Sequence, residues 1–308
     1  MVFAGTPAAA VPSLRAIIAA GHEVMAVATN PDAPVGRGRR PAPSPVAALA
    51  AEHGIETLKP RRARDPEFAA RLADLAPEAC LIVAWGQLIP DALLALPRYG
   101  WINLHFSLLP AWRGAAPVQR ALMAGAATTG VTTFRLVHDL DAGPVFRHVS
   151  TLIGPDETAG ELLERLAGIG ADVLVETLAD LARGAEPVAQ PDGPVTLAPK
   201  VTAEDARIDW CRDAMAIHNL VRGTSPAPGA WTTLDGTRFG VERTRPAGLD
   251  GPPDGLVPGE LAPTKRALLV GTAAGVLELV SVRAAGRPGM AGADWARGAR
   301  PAPGARLV

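Results

Sequence analysis

Asn103 and His105 stand two residues apart in the run Trp101-Ile-Asn-Leu-His105. That run reads as a short strand, and in a strand residues i and i+2 point to the same face. The chain has only three Asn (Asn30, Asn103 and Asn219) and 6 His, so a chance Asn-x-His is rarer here than in an average sequence. A carboxamide and an imidazolium on one face can together stabilise an oxygen that gains charge during acyl transfer. The spacing equally suits a polar pair that satisfies loop backbone groups at a strand end. Asp141, in the turn Asp139-Leu-Asp-Ala-Gly143, is a third candidate. A carboxylate there could orient the imidazole, hold its charge, or take a proton directly or through water. An Asx turn that caps the next strand would use the same residue without chemistry. If the two loops converge, the trio forms an acyl-transfer site that needs no Ser or Cys, because an attacking amine is itself the nucleophile.

Short apolar runs alternating with helical patterns must position these groups. Strands are expected at 2–4, 23–28, 55–58, 80–84, 101–105, 131–137 and 145–150. Helices are expected at 7–20, 46–52, 65–75, 91–96, 117–123 and 158–183. Residues 80–84 (Cys-Leu-Ile-Val-Ala) form a continuous apolar run, as buried parallel strands do. Thr158 and Glu161 have capping-box spacing, and Gly184 stops the long helix. This alternation argues an α/β, doubly wound sheet with right-handed crossovers. Such sheets bind ligands beyond the carboxyl ends of their strands, where Asn103, His105 and the long loop after them fall. Asp141 would also lie at a strand's carboxyl end.

Residues 184–204 are Pro-rich and lack apolar periodicity, so they read as a linker. Beyond them come a helix near 213–222 and short runs at 230–234, 238–242, 268–271 and 276–282, separated by Gly/Pro turns. These read as a small β-barrel or sandwich. Residues 298–308 read as irregular. The expected organisation is therefore a catalytic domain at 1–183, a linker at 184–204 and a C-terminal domain at 205–308.

Composition narrows the class. The chain has 308 residues, of which 48% are apolar and 20% charged, which is ordinary for a globular protein of about two domains. Net charge is −1 and aromatics are 4%, which argues against a broad base-stacking surface for nucleic acid. Cys80 and Cys211 form no CxxC pair, which excludes a disulfide scaffold and fits a reducing compartment. The first residues lack the pattern of a signal peptide, and no apolar run approaches the roughly 18 residues of a membrane span. There is no GxxxxGK[ST], HExxH or GxSxG motif, and Gly36-Arg-Gly38 does not sit at a strand–helix junction.

The segment His105-Phe-Ser-Leu-Leu-Pro-Ala-Trp-Arg-Gly114 follows the pattern H-x-S-L-L-P-x-x-x-G. Through it the chain resembles the folate-dependent formyltransferases, and within that family most closely the branch that formylates methionyl-tRNA. The resemblance covers nearly the whole chain. It includes Phe3-Ala-Gly-Thr-Pro7, the loop of residues 31–40, and Trp112-Arg-Gly-Ala-Ala-Pro117 with Gln119. In the C-terminal part it includes Ala206-Arg-Ile-Asp-Trp210, Ile217-His-Asn219 and Pro228-Gly-Ala-Trp231.

The resemblance implies a Rossmann-like catalytic domain followed by a C-terminal OB-type β-barrel that contacts tRNA. It implies 10-formyltetrahydrofolate as donor, initiator Met-tRNA as acceptor, no metal, and a cytoplasmic monomer. Asn103, His105 and Asp141 fall on the family's catalytic Asn, His and Asp. The 83–90 loop (with Ala84, Gly86, Leu88 and Ile89), Ser107, Leu108, Leu109, Pro110 and Asp139 would line the folate pocket, largely through backbone groups. The implied reaction is direct attack by the free α-amine. Asn103 and a protonated His105 would stabilise the oxyanion, and Asp141 would keep His105 charged and relay the amine proton. Arg37, Arg39 and Arg40 resemble a loop that orders on the acceptor stem, where Arg suits phosphate contact and stacking. As a bare sequence feature, that loop also fits a solvated turn in an Arg-rich chain.

Ala111 stands where the family usually has Arg, and Ala227 where Trp is usual. Both departures bear on tRNA contacts rather than on the reaction. Two other readings stand beside this one. One is a formyltransferase acting on a small amine such as a nucleotide or amino sugar. The other is a non-catalytic folate- or RNA-binding protein on the same scaffold.

Overall fold

The computed structural model describes residues 1–35, 40–247 and 255–308. Arg37 and Arg39 lie outside the described residues. The chain divides into two compact units. The first comprises Met1–Ala115, Thr128–Thr151 and Leu163–Ala198; the second comprises Ala116–Ala127, Leu152–Leu162 and Pro199–Val308.

In chain order the elements begin with β1 (Val2–Gly5), α1 (Val11–Ala19), β2 (Ala26–Ala28), β3 (Ala33–Val35) and β4 (Arg40–Ala42). Next come α2 (Pro45–Glu52), β5 (Glu56–Leu58), α3 (Pro66–Leu75), β6 (Cys80–Val83), α4 (Asp91–Leu94) and β7 (Trp101–His105). Then follow α5 (Pro117–Met123), β8 (Thr128–Arg135), β9 (Val145–Leu152) and α6 (Ala159–Ala182). The main sheet has the order β5-β2-β1-β6-β7-β8-β9. Its first five strands are parallel. All four residues of β6 are buried, as a strand covered on both faces requires. One apolar cluster joins Val2, Ala4, Ile82 and Trp101 to Phe68 and Leu72 of α3. The capping box at 158–161 is present: the Thr158 N–H and hydroxyl donate to Glu161 Oε2 at 2.9 and 2.8 Å, and the Glu161 N–H returns to Thr158 Oγ1 at 3.4 Å.

Three features of this unit differ from the sequence expectation. Strand β8 runs antiparallel to β7, with Arg135 beside Ile102 and Thr132 beside His105. Its carboxyl end therefore lies at the start of β7, and the chain must fold back to bring Asp141 to His105. Residues on either side of 36–39, in and beside the stretch taken as a loop at 31–40, form the antiparallel pair β3/β4, in which Val35 pairs with Arg40. The segment read as a linker is also bound to the unit: Val188 and Val145 exchange both backbone hydrogen bonds, at 2.6 and 2.9 Å.

The second unit continues with α7 (Ala214–Thr224), β10 (Ala230–Leu234), β11 (Thr237–Pro246), β12 (Leu261–Pro263), β13 (Leu268–Gly271), β14 (Val276–Ala284), β15 (Met290–Ala291) and α8 (Gly292–Ala299). Its sheet is antiparallel, in the order β10-β11-β14-β13-β12, with β15 beside β14. The turn Asp235-Gly236 has both residues at positive φ, the geometry of a tight hairpin. Register shifts around Arg243 mark a bulge in β11. The core packs Ile217, Leu268, Val270, Leu277 and Val282 around Trp210, Phe239 and Trp295. The tail is less irregular than expected. Thr233 and Val308 exchange both backbone hydrogen bonds at 2.9 Å, and Leu307 is buried.

Candidate active site

Strand β7 places Asn103 opposite Ile82 on β6 and Phe134 on β8, and His105 opposite Thr132. Both side chains share a face. Asn103 is half-buried, and its amide makes no hydrogen bond among the described residues. His105 is 6% exposed. Its Nε2 lies 2.9 Å from the Trp112 carbonyl oxygen. A carbonyl only accepts, so Nε2 carries the hydrogen and donates it. The other nitrogen, Nδ1, faces Asp141 Oδ2 at 3.8 Å. That same oxygen accepts the Gly114 N–H at 2.7 Å.

The three residues expected to act together are thus gathered in one place, and backbone groups of the 112–114 loop hold two of them. Burial pushes the His105 imidazole below its ordinary pKa; the Asp141 charge and the Trp112 carbonyl pull the other way without overcoming it. That opposes the protonated form which the resemblance implies for His105. The physical reason is desolvation in a 6% exposed position.

The backbone around the site is strained. Ala84 (φ 49°), Trp112 (φ 63°) and Asp141 (φ 46°) occupy the left-handed region. Asp tolerates it, but Ala and Trp do so rarely. Such strain persists where surrounding structure over-determines it, commonly at functional sites. Gly114 has φ 121°, and a Cβ there would stand 2.9 Å from the Ala198 carbonyl oxygen. A Cβ on Gly143 would stand 1.7 Å from the Arg135 carbonyl oxygen, so the turn that carries Asp141 can approach β8 only as glycine.

The 107–111 loop is braced from within. Thr132 Oγ1 donates to the Ser107 carbonyl at 2.7 Å and accepts the Leu109 N–H at 3.2 Å. The Ser107 hydroxyl donates to the Ala111 carbonyl at 2.6 Å. The Leu109 side chain packs with Phe134 and Val145. Ser107 and Leu109 therefore use their side chains to hold the loop, whereas Leu108 and Pro110 are half-buried.

After β6, Ala84 and Gly86 are exposed while Trp85 is buried in parallel stacking with Trp101, ring centroids 6.3 Å apart. Gln87 ties this loop down: its amide donates to Asn30 Oδ1 at 2.9 Å and accepts the Ala63 N–H at 2.8 Å. Leu88 is left 90% exposed, and Leu140 56%. Ile89 is half-buried against the core, and Asp139 is exposed. Arg40 is exposed on β4. Sequence reasoning missed Asn30, Thr196 and Gln190, and it named the 83–90 loop without singling out Gln87. Of these, Asn30 had a signal in the scarcity of Asn; the others sit in stretches without periodicity.

In the second unit, Arg238 stacks over Trp231 at 4.5 Å and Arg207 lies at 5.7 Å from the same ring. Trp231 and Arg238 border a groove of about 510 Å³ that Arg243 and Arg283 also line. Arg222 is buried: Nε donates to Asn219 Oδ1 at 2.9 Å and Nη1 to the Gly154 carbonyl at 3.0 Å. It braces the fold instead of serving as a surface charge. Among the described residues, no three His, Cys, Asp or Glu side chains are grouped to hold a metal ion.

The sequence profile described as Formyl transferase matches residues 1–178, and the profile described as Formyl transferase, C-terminal domain, matches residues 200–300. The chain is 52% identical over 311 residues to the methionyl-tRNA formyltransferase of Streptomyces coelicolor, covering 100% of this chain and 99% of that protein. It is 53% identical over 309 residues to that of Thermobifida fusca, covering 100% and 98%. Its fold is similar to that of methionyl-tRNA formyltransferase from Clostridium thermocellum, with TM-score 0.58 and 16% identity over 79% of this chain and 92% of that one. It is also similar to HypX from Aquifex aeolicus in complex with tetrahydrofolic acid, with TM-score 0.64 and 17% identity over 96% of this chain and 46% of that one.

Proposed function

The chain belongs to the formyl transferase family, and from that premise we propose that it transfers a formyl group from 10-formyltetrahydrofolate to the free α-amine of initiator methionyl-tRNA, for translation initiation. The observation that carries this reading is the pairing of the Asn103–His105–Asp141 constellation with full-length likeness to proteins of that name.

The donor is proposed to lie along the surfaces that the 83–90 and 107–111 loops and the 139–143 turn offer. Ala84 and Gly86 offer exposed backbone, a Cβ on Gly86 would meet nothing within 4 Å, and the apolar Leu88 and Leu140 side chains are exposed. A flat heterocycle needs edge hydrogen bonds and apolar cover, and these residues supply both. Leu108, Pro110, Ile89 and Asp139 would complete that pocket, with Ser107 and Leu109 contributing backbone. When bound, the donor supplies the formyl carbon that the amine attacks.

Asn103 donates its unpartnered amide hydrogens to the oxygen that gains charge as the amine adds. Burial disfavours the charged form of His105, and its hydrogen on Nε2 is fixed by the Trp112 carbonyl. Nδ1 is therefore the nitrogen able to accept the proton that the amine loses. Asp141, whose Oδ2 is 3.8 Å away, stabilises the imidazolium so formed, and His105 can then return the proton to the departing nitrogen. The Gly114 N–H keeps the Asp141 carboxylate aimed at the imidazole.

The acceptor's phosphates are proposed to meet Arg37, Arg39 and Arg40 and the basic groove around Trp231 and Arg238 in the domain 205–308. We assign the enzyme to the cytoplasm as a monomer; no helix among the described residues is long and apolar enough to cross a membrane. The test is a formylation assay with 10-formyltetrahydrofolate and either charged initiator tRNA or small amines. Formyl-methionine on tRNA is the expected product. Turnover of a nucleotide or amino-sugar amine in its place would overturn the acceptor assignment.

A further inference from the structure

The segment at 184–198, which the sequence presents as a linker, crosses the loops that carry the site. Thr196 Oγ1 accepts the Trp112 N–H at 2.8 Å, and its carbonyl accepts the Arg113 N–H at 2.9 Å. The Ala198 N–H donates to the Arg113 carbonyl at 2.7 Å. Within this segment Gln190 is half-buried and fully engaged. Its amide nitrogen donates to two carbonyl oxygens of the Asp141 turn, those of Asp141 at 2.7 Å and Gly143 at 3.0 Å. Its amide oxygen accepts from Arg113 Nη2 at 2.6 Å. The orientation of the amide follows from the partners, since carbonyls demand a donor and a guanidinium demands an acceptor.

Gln190 thus joins the two arms of the imidazole–carboxylate pair. One arm is the turn that carries Asp141. The other is the 112–114 loop, whose Trp112 carbonyl holds His105 and whose Gly114 N–H holds Asp141. We propose that Gln190 is a positioning residue of the formyl-transfer site, setting the placement of Asp141 against His105 from outside the constellation. The proposal rests on the reading of Asp141 and His105 given above. It follows from the geometry of the pair: at 3.8 Å the Nδ1–Oδ2 separation is longer than a hydrogen bond, so a small slip of the turn decides whether the charges meet.

No other residue type of this size serves both arms. Glu keeps the length and the Arg113 partner but turns an oxygen toward two carbonyl oxygens. This separates positioning from simple packing, because a packing role would tolerate Gln190→Glu. The experiment measures kcat, KM for donor and for Met-tRNA, and melting for Gln190→Ala, Gln190→Glu, Asp141→Asn, and Gln190→Ala combined with Asp141→Asn. Expected are kcat losses of about tenfold or more in both Gln190 variants, with both KM values nearly unchanged, since misplacement of about 1 Å can cost 10²-fold. In the Asp141→Asn background, Gln190→Ala should cost almost nothing further, because its effect runs through Asp141. Wild-type kcat in Gln190→Glu, or a full independent loss in the double variant, would overturn the role. Wild-type kcat in Asp141→Asn alone would overturn the Asp141 assignment itself and this role with it.

Discussion

Replacing Gly114 by Ala tests whether one backbone N–H holds the catalytic carboxylate. The residue sits at φ 121°, a region that side chains rarely enter, and its new Cβ would stand 2.9 Å from the Ala198 carbonyl oxygen and 3.3 Å from its carbon. Both neighbours are backbone, and the Ala198 N–H is bonded to Arg113 of the same loop, so the clash is relieved only by shifting the 112–114 backbone and its partner segment against each other. Backbone strain of this kind costs about 1–3 kcal/mol. The displaced Gly114 N–H also loses a charge-assisted bond to Asp141 Oδ2, worth about 1.5–3 kcal/mol. Part of each term relaxes away, which leaves about 3 kcal/mol, or roughly 6–12 °C in melting temperature at 150–250 residues. Activity should fall more than stability implies. With the carboxylate adrift and the Trp112 carbonyl shifted, kcat should drop about 10- to 100-fold at temperatures where the variant is folded. Thermal melting and steady-state formylation of Met-tRNA read the two effects. A Gly114→Ala variant with wild-type turnover would refute the view that this loop aims Asp141.

Other expectations concern charge. His105 has a folded pKa below its unfolded value of about 6.5, so the unfolded chain binds the proton more tightly. Its contribution to stability is complete above about pH 6.5 and is lost as pH falls toward the folded pKa; melting from pH 7.5 to 5 should show a decline that His105→Gln lessens. Asp141→Asn removes the charge that raises the His105 pKa, so the acid limb of kcat/KM should move to lower pH, and an upward shift would contradict the assigned pairing. Arg40→Ala should weaken Met-tRNA use about equally across tRNA sequences and lower the salt slope by about 1, with kcat at saturating tRNA unchanged; a salt titration identical to wild type would rule out a phosphate contact.

Much of the site was readable before the fold. The strand at 101–105 and the helix at 117–123 have the expected bounds, because period-two patterning and a proline at the helix start are local signals. Period two alone put Asn103 and His105 on one face. What sequence could not supply was direction and distance. An apolar strand looks the same in either sense, so the antiparallel course of β8 and the return of Asp141 along the sheet were hidden. The burial that lowers the His105 pKa was hidden too, because it is a property of the folded site and not of its neighbours in the chain. Gln190 and Thr196 sit in a Pro-rich stretch and bond only to residues distant in sequence, so the stretch resembled a linker. The pairing of Val308 with Thr233 was hidden for the same reason.

The central claim is that Asn103 and His105 perform the transfer while other surfaces bind the substrates. The most direct measurement is the single-turnover rate of formyl-methionine formation, with saturating donor and Met-tRNA, for wild type, Asn103→Ala and His105→Ala. Loss of one oxyanion donor, as in Asn103→Ala, typically costs about 10²–10³ in rate, and loss of a general base, as in His105→Ala, about 10²–10⁴. The expected result is a loss of that order in each variant with Met-tRNA affinity largely retained. A near wild-type single-turnover rate in either variant would contradict the account.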